Sequence, residues 1–133
     1  MKVDIYRNLH KNCWSVRSRE PSQKYGLVIG HATRIGLKDA KFVVSQAGRN
    51  RVLKDKRKNV HAVVRGNLIY SNYRDFTDRD MWFKYQARAE NNTMKRITYN
   101  PYKKSTFFWT DTEEPVYHSK TVIFNEDMKV YAS

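Results

Sequence analysis

Apolar residues in this chain come in short runs with a period of two, and the runs are divided by polar turns. "KVDIY" alternates at Val3 and Ile5, and "CWSVRS" offers Cys13 or Trp14 together with Val16 as inward positions. "YGLVIGHATRI" reads as one strand rich in β-branched residues. "KDAKFVVS" reads as another, centred on Phe42 and Val44, and "MKRITYN", "STFFWT", "VYHSKTVIF" and "KVYA" continue the series. "RNLHKN", "REPSQK", "NPYK", "DTEEP" and "NEDM" are the turns between them. A period of two turns one face of each strand toward a core and the other toward water. With eight to ten such strands and one or two helices, the expectation is an α+β fold dominated by an antiparallel, strongly curved sheet, with barrel-like closure as one form it could take. The 133 residues suffice for one core, and no repeat or Pro/Gly linker divides them, so residues 1–133 are expected to form a single domain. Aromatic residues make up 14% of the chain, which separates it from disordered sequences.

One segment breaks the period. Ser45 is followed by "QAGRNRVLKDKRK", which predicts a helix around residues 46–57 with Ser45 as its N-cap and Ala47, Val52 and Leu53 as a narrow apolar face. Gly48 costs such a helix about 1 kcal/mol relative to Ala, unless it permits a close backbone approach. "NVHAVVRGNLIYS" then reads either as two strands around Arg65-Gly66-Asn67 or as one long bulged strand. "MWFKYQARA" fits strand in its first half and helix in its second.

The formal charge is +13, and its distribution is lopsided. Residues 1–74 hold 17 Lys/Arg against 4 Asp/Glu, whereas residues 75–133 hold 9 of each. Such segregation favours a surface that meets a polyanion over charge spread for solubility. The densest part is the predicted helix, where Arg49, Arg51, Lys54, Lys56, Arg57 and Lys58 face a single acid, Asp55. At helical spacing, Arg49, Lys56 and Arg57 share one sector while Arg51, Lys54 and Lys58 line a second row. These cations repel one another unless an anion lies among them, and phosphate suits both Arg and Lys. A second segment, "MKRITYNPYKKSTFFWT", interleaves Lys95, Arg96, Lys103 and Lys104 with Tyr99, Tyr102, Phe107, Phe108 and Trp109. Rings among cations suit single-stranded nucleic acid, although aromatic residues on strands more often fill cores. Tyr102 is expected to be exposed, and Phe107 or Phe108 buried. Arg65, Lys95, Arg96 and Tyr102 would extend the surface of the helix.

Catalytic signatures are sparse. The four histidines, His10, His31, His61 and His118, form no close pair, and there is no C-x-x-C or H-E-x-x-H, so neither a metal nor another cofactor is expected. His31, His61 and His118 could serve a metal-independent nuclease or phosphodiesterase as acid and base. His31-Ala32-Thr33 matches one half of the His-x-Thr pattern of two-histidine phosphoesterases, but the second half is missing. Asp75, Asp78 and Asp80 cluster in one loop, and Asp111, Glu113 and Glu114 in another, at spacings that match no nuclease signature. Cys13 is the one cysteine and reads as a small core residue, so no internal disulfide forms. "MKVDIYRNLH" lacks the apolar stretch of a signal peptide, and no run approaches the roughly 20 apolar residues of a membrane span.

The run "AGRNRVLKDKRKNVHAVVRG", with "LKDAKFVVSQ" before it and "ITYNPYK" and "EPVYHSKTVIF" after it, resembles small uncharacterised proteins encoded by tailed bacteriophages. The similarity extends over most of the chain, from the opening "VDIYRNLHKNCWSVR". The resemblance implies an accessory protein acting in the cytoplasm of the host bacterium, and it transfers no activity. Three function classes follow. The first is a non-enzymatic protein that grips nucleic-acid phosphates, DNA or RNA, through the basic helix. A second is an inhibitor that docks on an acidic surface of a host polymerase, nuclease or defence complex, such as a restriction or CRISPR system. The third is the histidine-based nuclease. No membrane partner is expected, and open strand edges could pair in a homodimer.

Overall fold

The computed structural model describes residues 1–19, 28–55, 60–72 and 94–133. The strands are β1 (Lys2–Asn8), β2 (Cys13–Ser18), β3 (Val28–Ala32) and β4 (Ile35–Val44), then after helix α1 (Gln46–Asp55) come β5 (Ala62–Ser71), β6 (Lys95–Thr98), β7 (Phe108–Trp109), β8 (His118–Phe124) and β9 (Val130–Ala132). All nine join one sheet in the order β3-β2-β1-β5-β4-β8-β9-β6-β7. Every neighbouring pair is antiparallel. The fold is α+β, an antiparallel sheet with one helix among the described residues, as the period-two pattern predicts.

The sheet is curved, and two aromatic rings show by how much. Trp14 on β2 and Phe124 on β8 are four strand spacings apart, about 19 Å in a flat sheet. Their ring centroids are nevertheless 4.9 Å apart, edge to face, and the Trp14 indole N–H donates to the Asn125 carbonyl at 3.1 Å. The strands must therefore curl around the residues between them. Irregular register supplies the bend: β2 shifts against β3 between Val16 and Arg17, and β4 shifts against β5 at Gly36/Leu37 and across Lys38–Lys41. Asp39 takes a left-handed φ of 52° inside the last of these bulges. Closure into a barrel does not follow, because β3 and β7 remain at opposite ends of the strand order.

The inner face carries the main core, including Val3, Ile5, Val16, Ile35, Leu37, Phe42, Val64, Val122 and Phe124. Alternation sends the neighbouring row to the other face. Leu37, Val122 and Ala132 align in the core, and one step along Tyr70, Gly36, Ile123 and Tyr131 align instead. Tyr70, Ile123 and Tyr131 cluster there with Met94.

One expectation about a strand boundary is corrected. "YGLVIGHATRI" is not one strand: a turn at Thr33-Arg34 separates β3 from β4. The Asn72 side-chain oxygen accepts the backbone N–H of both Thr33 and Arg34, at 3.0 and 3.1 Å, and stabilises that turn from 38–39 positions away. Of the two readings of "NVHAVVRGNLIYS", the one long bulged strand is the one that forms: β5 runs from Ala62, with Ile69 as the extra residue opposite Gly36/Leu37. The segment "MWFKYQARA" and the Asp75–Asp80 loop lie outside the described residues.

Candidate nucleic-acid interface

Helix α1 starts where the sequence predicts. The Ser45 hydroxyl accepts the Gly48 N–H at 3.2 Å, satisfying one free donor of the first turn. The helix connects the antiparallel neighbours β4 and β5, and the Ser45 N–H donates to the His61 carbonyl at 2.7 Å, closing the loop at its base. Gly48 and Val52 are its buried positions, and Ala47, expected on the apolar face, is exposed. Gly48 lies so near β5 that a Cβ there would stand 2.6 Å from the His61 Cβ. The glycine is a contact requirement, which accounts for a poor helix former in this position.

The helix docks on the second basic segment. Arg49 Nε donates to the Pro101 carbonyl at 3.0 Å, and the Gln46 side-chain amide donates to the Ser105 carbonyl at 3.0 Å. These two hydrogen bonds join the two cation-rich segments, far apart in sequence, into one surface. Beneath them runs a chain of rings: His61 against Tyr99, Tyr99 against Phe107, and Phe107 against Phe42. His61 Nε2 and the Tyr99 hydroxyl lie 2.7 Å apart. Burial raises the Tyr99 pKa above its ordinary value of 10.0, against the opposing pull of the Arg49 cation.

Residues 100–104 form a tight turn. The Asn100 side chain accepts the Tyr102 N–H at 3.0 Å, and the Asn100 carbonyl accepts the N–H groups of Lys103 and Lys104 at 3.1 and 3.0 Å. Tyr102 projects from this turn with 62% of its surface exposed, as expected. Phe107 and Phe108 are both buried. The Lys103 and Lys104 ammonium groups lie 5.6 and 5.7 Å from the Phe108 ring centre. Lys103 is paired with Glu113, whose carboxyl it holds below the usual range, first by that hydrogen bond and then by its charge.

The remaining predicted residues scatter. Arg51 lies about 200° around the helix from Arg49, so Arg51 and Lys54 occupy the flank away from the turn. Both are exposed and have no ion-pair partner among the described residues. Lys56, Arg57 and Lys58 lie outside the described residues. Arg65 grips Asp4 with its Nε at 2.9 Å, and Arg19 reaches the same carboxylate at 3.3 Å. Lys95 pairs with Asp111 at 3.5 Å, and Arg96 is exposed at the far end of β6 from the turn.

The three histidines do not converge. His31 Nδ1 lies 2.9 Å from the Ser15 hydroxyl at the β3 edge, His61 is held under α1, and His118 begins β8 opposite Lys41. His31 is on β3, three strands away from β5 in the sheet order. No group of three metal-ligating side chains occurs among the described residues, and none of their helices is long and apolar enough to cross a membrane.

The sequence model of the family described as "Mycobacterium phage L5 gene 82 protein" matches residues 1–132. The chain belongs to this phage family. The gene 82 protein of Mycobacterium phage L5 is 34% identical to it over 121 residues, which cover 86% of this chain and 82% of that protein. No solved structure matches the chain. Sequence reasoning passed over Gln46 and the acceptor role of the turn carbonyls. Only the polar side chain of Gln46 beside the N-cap hinted at the first, and nothing local signals the second.

Proposed function

We propose that this protein binds nucleic acid without catalysis, gripping backbone phosphates at the surface formed by α1 and the 100–105 turn. The observation that carries the reading is the pair of hydrogen bonds from Arg49 and Gln46 to the carbonyls of Pro101 and Ser105. They fix Arg49 of α1 against the turn that carries Tyr102, Lys103 and Lys104. Arg51 and Lys54 have no ion-pair partner among the described residues, Lys104 forms no ion pair although its charge helps to lower the Glu113 carboxyl, and Arg49 uses only its Nε in the strut. Four phosphate contacts on a single strand would give a log–log dependence of affinity on salt with a slope of about −3.

A fluorescence-anisotropy titration across a salt series tests this. Expected are binding at low salt, a linear log–log loss, and a shallower slope in the Arg51→Gln/Lys54→Gln variant. Failure to bind DNA or RNA at low salt, or binding indifferent to salt, would refute it.

A further inference from the structure

We infer that the ligand of this surface is single-stranded, with a base stacked on the Tyr102 ring; the inference rests on the phosphate-gripping reading above. Tyr102 is the most exposed large apolar side chain among the described residues, at 62%, and Tyr117 at 53% is the next aromatic. Tyr102 lies five positions before Phe107, and Tyr117 follows Val116, whose N–H donates to the Phe107 carbonyl at 3.0 Å. An isolated exposed ring needs no explanation, but this one is held in place. Pro101 restricts the backbone before it, Asn100 accepts three N–H groups of the turn, and Arg49 anchors the Pro101 carbonyl. The ring itself has no ring or cation contact among the described residues, while Lys103 and Lys104 bend over Phe108 instead. A preorganised, uncovered ring beside cations is the arrangement that receives an unpaired base and its flanking phosphates.

A duplex fits this surface poorly. Its base faces are hidden in the stack, so Tyr102 would have nothing to bind there. The helix cannot enter a groove with its cations on one side either, because Arg49 and Arg51 lie about 200° apart around it and the sector between them is buried at Gly48 and Val52. A single strand can bend around the corner between α1 and the turn.

The test compares a labelled oligo-dT, an oligo-U of equal length and a blunt duplex by anisotropy at low salt, with wild type, Tyr102→Ala and Tyr102→Phe. Stacking of one base predicts that Tyr102→Ala weakens single-strand binding by about tenfold and leaves duplex binding unchanged, while Tyr102→Phe keeps most of the affinity. Equal or tighter binding of the duplex, or an equal loss for all three ligands in Tyr102→Ala, overturns the inference and leaves the phosphate-gripping reading standing. No binding of any of the three overturns both. Because Tyr102 is exposed, its variants fold, and an unchanged urea midpoint checks this.

Discussion

Replacing Gly48 with alanine sets two forces against each other, and the structure says which wins. In an ordinary helix interior the change is stabilising by about 0.8–1 kcal/mol, because glycine gives up more backbone freedom than alanine. Here the added Cβ would stand 2.6 Å from the His61 Cβ, 3.4 Å from the Ser45 hydroxyl and 3.6 Å from the His61 Cα. Carbon atoms in contact settle about 3.5–4.0 Å apart, so α1 must retreat from β5 by about 1 Å. Overpacking of this kind costs about 1–3 kcal/mol. The net expectation is a loss of about 1 kcal/mol where propensity alone gives a gain of about the same size. In urea that loss moves the midpoint down by about 0.3–1 M at an unchanged slope.

The clash also identifies its partner. His61→Ala keeps the offending Cβ and should not relieve Gly48→Ala, whereas His61→Gly removes it and should. The retreat of α1 would lengthen the Arg49–Pro101 and Gln46–Ser105 hydrogen bonds, so oligonucleotide affinity should fall together with stability. A Gly48→Ala protein more stable than wild type would show that the helix sits farther from His61 than described, and the seam between α1 and the turn would lose its basis.

Two further perturbations probe the supports of the fold. Asp4→Asn withdraws the carboxylate shared by Arg65 and Arg19, whose side chains are 30% and 20% exposed while Asp4 is 5% exposed. Solvent reaches the arginines, so the loss should be about 1–3 kcal/mol, below that of a fully buried pair, and an unchanged urea midpoint would refute it. Tyr99 predicts an alkaline limit: its pKa is raised by burial, so folding favours the protonated phenol. That contribution is fully present below pH 10.0 and is lost as pH rises through the folded-state value. Urea midpoints from pH 9 to 11 should therefore fall more steeply in wild type than in Tyr99→Phe, and parallel curves would contradict the assignment.

The elements were legible in the sequence wherever the governing physics is local. Alternation located β1, β2 and β8, and Ser45 marked the start of α1, because side-chain period and capping depend on neighbours a few positions away. What the sequence hid are links of long range. The Thr33-Arg34 turn depends on Asn72, so "VIGHATRI" looked continuous. The role of Arg65 depends on Asp4, 61 positions earlier, so a structural ion pair looked like part of a binding surface. Of the candidate site, Arg49 and Tyr102 were read from composition, but their convergence was not, since it runs through backbone carbonyls that every residue possesses.

The same distinction sorts the positive charge. A cation that already holds a buried or neighbouring carboxylate has little to offer a phosphate, since it must break one charge-assisted bond to make another. Arg65 and Arg19 on Asp4, Lys95 on Asp111 and Lys103 on Glu113 are of this kind. Arg49, Arg51, Lys54 and Lys104 form no ion pair among the described residues, and neither do Arg7, Lys11, Arg17, Lys38, Lys41, Arg96 and Lys120. Four of these eleven belong to α1 and the 100–105 turn, and the others are on the strands and the β1–β2 turn. Unpaired charge is therefore spread over the described fold, and what sets the seam of α1 and the turn apart is the exposed Tyr102 ring held rigid where Arg49 meets the turn. That fixed ring beside a cation, more than the net charge of the chain, is the physical ground for the nucleic-acid reading proposed above.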